Sequence, residues 1–268
     1  MKLAIHDLEN KKAGEKQLPI QFGEAYRPDL IKRAVHALQS AARQSYGASP
    51  DAGQRHSTKV SKRRRDYRGS YGFGISRVAR KILSRRGTRM FWMGAFSPQT
   101  VGGRRAHPPK ALKDRTQKIN VKENKKAIRS AIASTVDKKV VESRGHQIPQ
   151  LYPFLVSASF ENLTKTKDVE KALLSFGFDK ELERGEYKKV RPGVGKHRGR
   201  PYQRKKSVLI VVSEDCPLVK SGKNVPGVEV VVVNSLNAEL LAPGAHAGRV
   251  TLWTEKAIDV LDKNKLYL

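Results

Sequence analysis

Few residues in this 268-residue chain could do covalent chemistry. Ser213-Glu214-Asp215-Cys216-Pro217 sets two acids beside the single cysteine, directly after the apolar run Val208 to Val212. Paired carboxylates can serve as general acid and base, and a thiolate is favoured at a helix N-terminus. Adjacent acids after a strand, however, more often cap the next helix, and a lone cysteine is more often a small buried apolar residue. The string Gly193-Val194-Gly195-Lys196-His197-Arg198-Gly199 lacks both the spacing and the hydroxyl of a phosphate-binding loop, whose backbone amides wrap phosphates while a Ser or Thr reaches magnesium. A dinucleotide site needs glycines between a strand and its helix; here that position holds carboxylates, which would repel a pyrophosphate. His107, His146 and His197 lie beside Arg or Lys, where a phosphate or a backbone carbonyl is the expected partner. Seven histidines and one thiol make no metal-ligand spacing. The sequence predicts no catalytic residue, no metal and no cofactor.

Charge is the stronger signal. There are 54 Lys and Arg against 25 Asp and Glu, a formal net charge of +29, and a compact fold with that much charge of one sign repels itself unless a polyanion neutralises it. Ala52 to Lys113 holds 17 Lys and Arg and one acid, Asp66. Its cations include Arg55, Lys59, Lys62, Arg63, Arg64, Arg65, Arg68, Arg85, Arg86 and Arg89, and Arg115 follows just beyond. A second basic stretch, Lys188 to Lys206, has nine Lys and Arg and no acid; Lys196, His197, Arg198, Arg200 and Arg204 are its candidate contacts. A charge run is usually a solvated face in which Lys alternates with Glu, and Arg63-Arg64-Arg65 alone could be an import signal. The company of Tyr67, Tyr71, Phe73, Phe91, Trp92 and Phe96 argues for nucleic acid. Aromatic faces stack unpaired bases, arginine forks clasp phosphates, and glycine lets backbone approach closely. No groove-reading basic helix or zinc-finger spacing appears, so RNA is preferred to duplex DNA.

These basic segments need a scaffold. Pro28 opens a helical stretch with Leu30, Ile31, Ala34, Val35, Leu38 and Ala41 on one face. Ile128, Ile132, Val136 and Val140 recur every four residues and predict a second helix between Glu123 and Glu142. Phe154 to Ser159, Val208 to Val212, Val228 to Val233 and Val250 to Trp253 are strand-like, Asp168 to Phe176 is helical, and Thr254 suits the N-cap of a last helix carrying Ala257, Ile258 and Leu261. Near-continuous apolar strands separated by helices, joined by Leu3 to Ile5, predict an α/β fold. It is a mostly parallel sheet flanked by helices, a Rossmann-like layered body with a long extended basic internal loop. The expected division is a body of residues 1–50 and 114–268, carrying the basic loop 188–206, and an arm of residues 51–113. Val78, Ile82 and Leu83 could line one short helical face; otherwise glycines and scarce apolar periodicity predict an irregular arm. The start MKLAIHDLEN lacks an apolar signal region and the aliphatic runs are too short to span a bilayer, which predicts a cytoplasmic protein with no membrane partner.

The chain resembles the large-subunit ribosomal protein L-four family in its archaeal and eukaryotic form. The resemblance rests on the order and spacing of Arg105-Ala106-His107-Pro108-Pro109-Lys110 with Asp114-Arg115, Ala127-Ile128-Arg129-Ser130-Ala131, Arg144-Gly145-His146, Gly193 to Arg200, Leu241-Ala242-Pro243-Gly244 with Gly248-Arg249, and the stretch Ser70 to Arg80. It implies a structural constituent of the large ribosomal subunit, with its arm threaded through the large rRNA. In the family the arm tip helps line the nascent-peptide exit tunnel beside a loop of the L-twenty-two family protein, and the resemblance implies the same here. Carried over, Ser70, Tyr71, Phe73, Arg77 and Arg80 become tunnel-proximal tip residues, and Arg104, Arg105, His107 and Lys110 become rRNA anchors at the arm's root. The implied partners are large-subunit rRNA, neighbouring ribosomal proteins and, in passing, the nascent peptide. The alternatives are an RNA-modifying enzyme with a Rossmann-like domain, or a regulatory RNA binder acting off the ribosome.

Overall fold

β-branched residues dominate the apolar runs, and buried strands follow from them. The structure, a computed structural model, describes residues 1–67 and 69–268. In chain order it contains β1 (Lys2–His6), β2 (Lys12–Gln17), α1 (Pro28–Ala41), β3 (Arg80–Arg86), β4 (Arg89–Gly94), α2 (Val121–Val136) and α3 (Lys138–Ser143). Then come β5 (Leu155–Val156), α4 (Thr166–Ser175), α5 (Asp179–Glu186), β6 (Lys189–Val190), β7 (Tyr202–Gln203), β8 (Leu209–Val212), α6 (Pro217–Lys223), β9 (Glu229–Val232), α7 (Ala238–Leu241), β10 (Thr251–Thr254) and α8 (Glu255–Lys263). The chain divides into two compact units, Met1–Ala42 with Thr116–Leu268, and Arg43–Arg115. Among the described residues no helix is long and apolar enough to cross a membrane.

The first unit is built on a six-stranded sheet in the order β2-β1-β5-β10-β8-β9, parallel except for the antiparallel pair β1 and β2. Its register sets Ile5, Leu155, Trp253, Val211 and Val231 in one row across five strands. That face is covered by Ile31, Ala34 and Val35 of α1, Ile128 and Ile132 of α2, Leu241 of α7 and Ile258 and Leu261 of α8. The opposite face, with Val156, Ile210, Leu252 and Val230, packs on Val169 and Leu173 of α4, Leu218 of α6, and Phe154, Phe160, Phe176 and Phe178. Burial on both faces is why these strands are uninterrupted apolar runs rather than alternating ones. Each fully buried large side chain stabilises the fold by about 1.5–3 kcal/mol relative to exposure.

The α/β class, the helices at Pro28, Thr166 and Glu255 and the central strands agree with the sequence pattern; other details differ. The helix expected from Glu123 to Glu142 is two helices, because Asp137 adopts extended backbone and its carboxylate accepts from the Lys139 amide at 3.0 Å, capping α3. Of Phe154 to Ser159 only Leu155–Val156 pair, and the chain then turns into a 3-10 helix, Ala158–Asn162. Strand β2 is polar throughout, an antiparallel edge that water covers on one side, and so carries no apolar signal. In the second unit, β3 and β4 form an antiparallel hairpin around Gly87-Thr88, not a helix at Val78 to Leu83. Gly87 supplies φ +56° at the turn, the positive φ a two-residue hairpin loop demands.

Two buried carboxylates tie the first unit together. Glu161, 4% exposed, accepts from the Ser213 amide at 3.0 Å, the Ser213 hydroxyl at 2.8 Å and the Thr254 hydroxyl at 2.6 Å, joining the ends of β8 and β10 to the turn after β5. Thr254 also caps α8 through the Ala257 amide. Glu181 of α5 accepts from His146 Nδ1 at 2.8 Å, from the Gln147 amide at 3.0 Å and from Arg184 Nη2 at 2.6 Å. Burial pushes the Glu181 carboxyl up, but these donors outweigh it and hold it at about 2. Burial, joined by the charges of Arg184 and Arg144, lowers the His146 pKa against the opposing pull of Glu181. Replacing Thr254 with Ala removes a helix cap and one of the donors to Glu161; the expected cost is about 2 kcal/mol in urea unfolding, and no change would refute the role. Glu181 is ionised more readily folded than unfolded, so its contribution is complete above about 4.5 and lost as pH falls toward 2. Thermal melts between pH 5 and pH 2.5 should show this acid loss, and Glu181→Gln should be about 3 kcal/mol less stable at neutral pH with a shallower acid slope. An unchanged slope would exclude Glu181 as the titrating group.

Candidate RNA interface

Within the Arg43–Arg115 unit, the outgoing and returning limbs of the chain are held together by backbone. The Ala48 amide donates to the Pro109 carbonyl at 2.9 Å, and Arg115 donates from Nη2 to the Tyr46 carbonyl while its guanidinium lies 4.0 Å from the Tyr46 ring centroid. The limbs approach so closely at Gly47 that a Cβ there would stand 2.4 Å from the Ala111 nitrogen. Farther along, Gly53, at φ +75°, faces the Arg104 backbone, where a Cβ would meet Cα at 2.8 Å. Glycine at both positions is a packing requirement, beyond the loop freedom the sequence suggests.

Most aromatic residues of this unit are paired with arginines. Guanidinium carbons lie over Tyr71 (Arg77, 4.5 Å), Trp92 (Arg80, 5.4 Å), Tyr67 (Arg85, 5.2 Å), Phe91 (Arg89, 5.3 Å) and Phe96 (Arg104, 5.0 Å). Each such pair is worth about 0.5–1 kcal/mol at an exposed site. Stacking uses the flat face of the guanidinium and leaves its in-plane N–H edge for phosphate oxygens. Arg80 is the most committed, donating to the Ser76 carbonyl at 2.5 Å and hydroxyl at 2.9 Å. Arg85 donates to the Gly87 carbonyl at 2.7 Å. At the hairpin end Arg86 stands directly opposite Arg89, a like-charge pair that destabilises the strands unless an anion lies between. Asp66 accepts from the Ser61 hydroxyl at 2.7 Å, so the one acid of this stretch supports a local turn.

Arg55, Lys59, Lys62, Arg63, Arg64, Arg65, Arg86, Arg105, His107 and Lys110 are exposed, and Arg104 and Arg115 are half-buried. Among the described residues no carboxylate pairs with Lys59, Lys62, Arg63, Arg64, Arg65, Arg86, Arg105 or Lys110. Arg68 lies outside the described residues. Of the tip candidates, Phe73 is 70% exposed and Arg77 is exposed, Tyr71 and Arg80 are half-buried, and Ser70 is buried. The second basic stretch is a small hairpin: β6 pairs with β7, and a 3-10 turn, Val194–Arg198, runs between Gly193 at φ +77° and Gly199 at φ +76°. Lys196, His197 and Arg198 sit exposed on that turn, with Arg200 and Arg204 exposed beyond it. The Lys188 ammonium is 3.6 Å from the Tyr202 ring centroid.

The residues that suggested catalysis take other roles. Glu214 and Asp215 are exposed and cap nothing: α6 starts after Cys216 with no side-chain cap, a departure from the expected capping role. The Cys216 thiol is half-buried against the phenylalanine-lined core, and burial raises its pKa, away from a thiolate nucleophile. His146 bonds the Glu181 carboxylate rather than a phosphate or a backbone carbonyl. Outside the carboxyl ends of the strands, where open α/β sheets take their ligands, the Glu161 carboxylate already occupies the donors of Ser213 and Thr254. Among the described residues no three His, Cys, Asp or Glu side chains converge as a metal site.

The model of the Ribosomal protein L4/L1 family matches residues 16–264. The large ribosomal subunit protein uL4 of Nanoarchaeum equitans is 47% identical over the full length of both chains. That of Archaeoglobus fulgidus is 45% identical over 97% of this chain and 98% of its own, and that of Methanococcoides burtonii 45% over 95% of each. With that coverage, the chain belongs to the ribosomal protein L4/L1 family, whose members are structural proteins and not enzymes.

Proposed function

We propose that this chain is a structural constituent of the large subunit of the cytoplasmic ribosome. It holds large-subunit rRNA through the Arg43–Arg115 unit and the second basic loop. The tip around Tyr71, Phe73, Arg77 and Arg80 helps line the nascent-peptide exit tunnel, next to the L-twenty-two family protein. The archaeal relatives carry the name of that subunit's protein uL4. The observation that carries the rRNA role is the contrast in charge pairing. Among the described residues ten Lys and Arg of the first unit find carboxylates, as in Lys16 with Asp259 at 2.7 Å and Arg129 with Glu24 at 2.8 Å, whereas Lys59, Lys62 and Arg63 to Arg65, clustered in sequence and exposed, find none. Guanidiniums held over aromatic rings, glycines at close approaches and an exposed Phe73 suit folded RNA, whose crevices admit extended chain and unstacked bases.

Binding of a large-subunit rRNA fragment, followed by fluorescence anisotropy across a salt series, tests this. The log of the association constant should fall with log salt by about 0.7–0.9 per phosphate contact. Replacing Arg63, Arg64 and Arg65 together with Gln should reduce that slope by about 2 while leaving the thermal melt unchanged. A salt-independent affinity, or an unaltered slope in the triple variant, would sink the rRNA assignment to these residues.

A further inference from the structure

Among the motifs that carry the family resemblance and lie outside the arm are Arg144-Gly145-His146, Leu241-Ala242-Pro243-Gly244, and Gly248-Arg249. The fold brings them to one place. Arg144 ends α3, Gly145 turns the chain at φ +88°, and Arg144 donates from Nη2 to the Pro243 carbonyl at 2.7 Å. Gly248, at φ +86°, lets its loop approach α3 so closely that a Cβ would stand 2.7 Å from the Val140 carbonyl oxygen. Between these segments and the end of the second basic loop is a cavity of about 540 Å³. Its charged and titratable lining comes from Arg144, Arg184, Arg204, Lys205, Lys206 and the imidazoles of His146 and His246, with no carboxylate.

The charge around this cavity is not balanced. Glu181, behind it, is taken up by Arg184 and His146. Glu229 is shared by Lys206 and the fully buried Arg249, whose Nη1 lies 2.6 Å from its Oε2. Two carboxylates thus face six Lys and Arg side chains, and four positive charges are left over. Two guanidinium nitrogens, Arg144 Nη1 and Arg249 Nη2, are buried with no hydrogen-bond partner. An unpaired buried donor on a charged group costs several kcal/mol if it stays unpaired. Burial, with the neighbouring charges of Arg249 and Arg184, pulls the Arg144 guanidinium down to about 10. A bidentate oxyanion would meet the guanidinium edge and offset the repulsion at once.

We propose that this cavity is a phosphate-binding site of the body, built on Arg144 and Lys205, that takes a backbone phosphate of the same rRNA. The proposal rests on the rRNA-binding role above, and it gives the body an anchor separate from the arm.

Two measurements on the full chain test it. In amide NMR at constant ionic strength, exchanging chloride for inorganic phosphate should shift Gly145, His146 and His246, and Arg144→Gln should abolish those shifts. In the salt series with rRNA, Arg144→Gln should lower the slope by about 0.7–0.9, the value of one lost phosphate contact. Lys205→Gln, at an exposed position that the fold does not need, should lower it too and guards against a variant that misfolds. Phosphate shifts absent from these residues, or slopes equal to wild type in both variants, would overturn the proposal. If wild type ignored rRNA altogether both readings would fall, whereas an unaltered slope in these variants beside a reduced one in the arginine 63–65 variant would remove the body site alone.

Discussion

Repulsion among unpaired cations is the constraint on which this molecule turns. Coulomb repulsion between like charges is modest in water and grows as they are drawn out of it, so a chain at +29 must either pair its charges internally or spread them over surface. It does both, in different places. The first unit spends its acids on ion pairs and on buried anchors at Glu161 and Glu181. The second unit has few acids, and instead holds guanidiniums over aromatic rings and lets its limbs close on one another at glycines. That arrangement lowers the local cost of the charge without neutralising it. The remaining field is what an RNA surface would neutralise.

The scaffold was legible in the sequence where burial on both faces writes continuous apolar runs, as at Leu209 to Val212, or where an amphipathic stripe has a clear cap, as at Pro28 and Thr254. Elements whose stability comes from backbone pairing left little trace. β2 is polar throughout, and the hairpin of β3 and β4 hides because Ile82-Leu83 and Phe91-Trp92-Met93 break the alternation that marks a strand. The register shift between Ile82 and Ser84 is the physical reason in β3, since Leu83 is the extra, unpaired residue of a bulge and interrupts the two-residue period. Its one usable signal was the Gly87-Thr88 pair between two β-prone segments. Asp137 likewise looked like a tolerable helix residue because spacing alone does not show whether its carboxylate will take the backbone amide of Lys139.

Site residues were legible by type and only partly by role. Exposed cations such as Arg63 to Arg65 are where composition places them. The aromatics, read as free faces for bases, are mostly engaged by arginines, which the fold brings over the rings from as near as two residues along the chain, Arg89 over Phe91, to as far as eighteen, Arg85 over Tyr67. Phe73 alone among the tip aromatics keeps its exposure. The cationic cavity at Arg144 was invisible, because its members come from α3, α5, the second basic loop and the loop before β10, and only the fold juxtaposes them.

The sheet order has a consequence for how the protein is made. β10, which lies between β5 and β8, spans Thr251–Thr254 of a 268-residue chain. The central strand is therefore synthesised after both of the strands it separates, and until it emerges β5 and β8 lack the partner that joins them. At about 5–20 residues per second, the cation-rich middle of the chain waits of the order of 10 s before the sheet can close. Throughout that interval the nascent chain carries a naked polycation and, separately, unpaired apolar strands, the condition under which it most needs an escort.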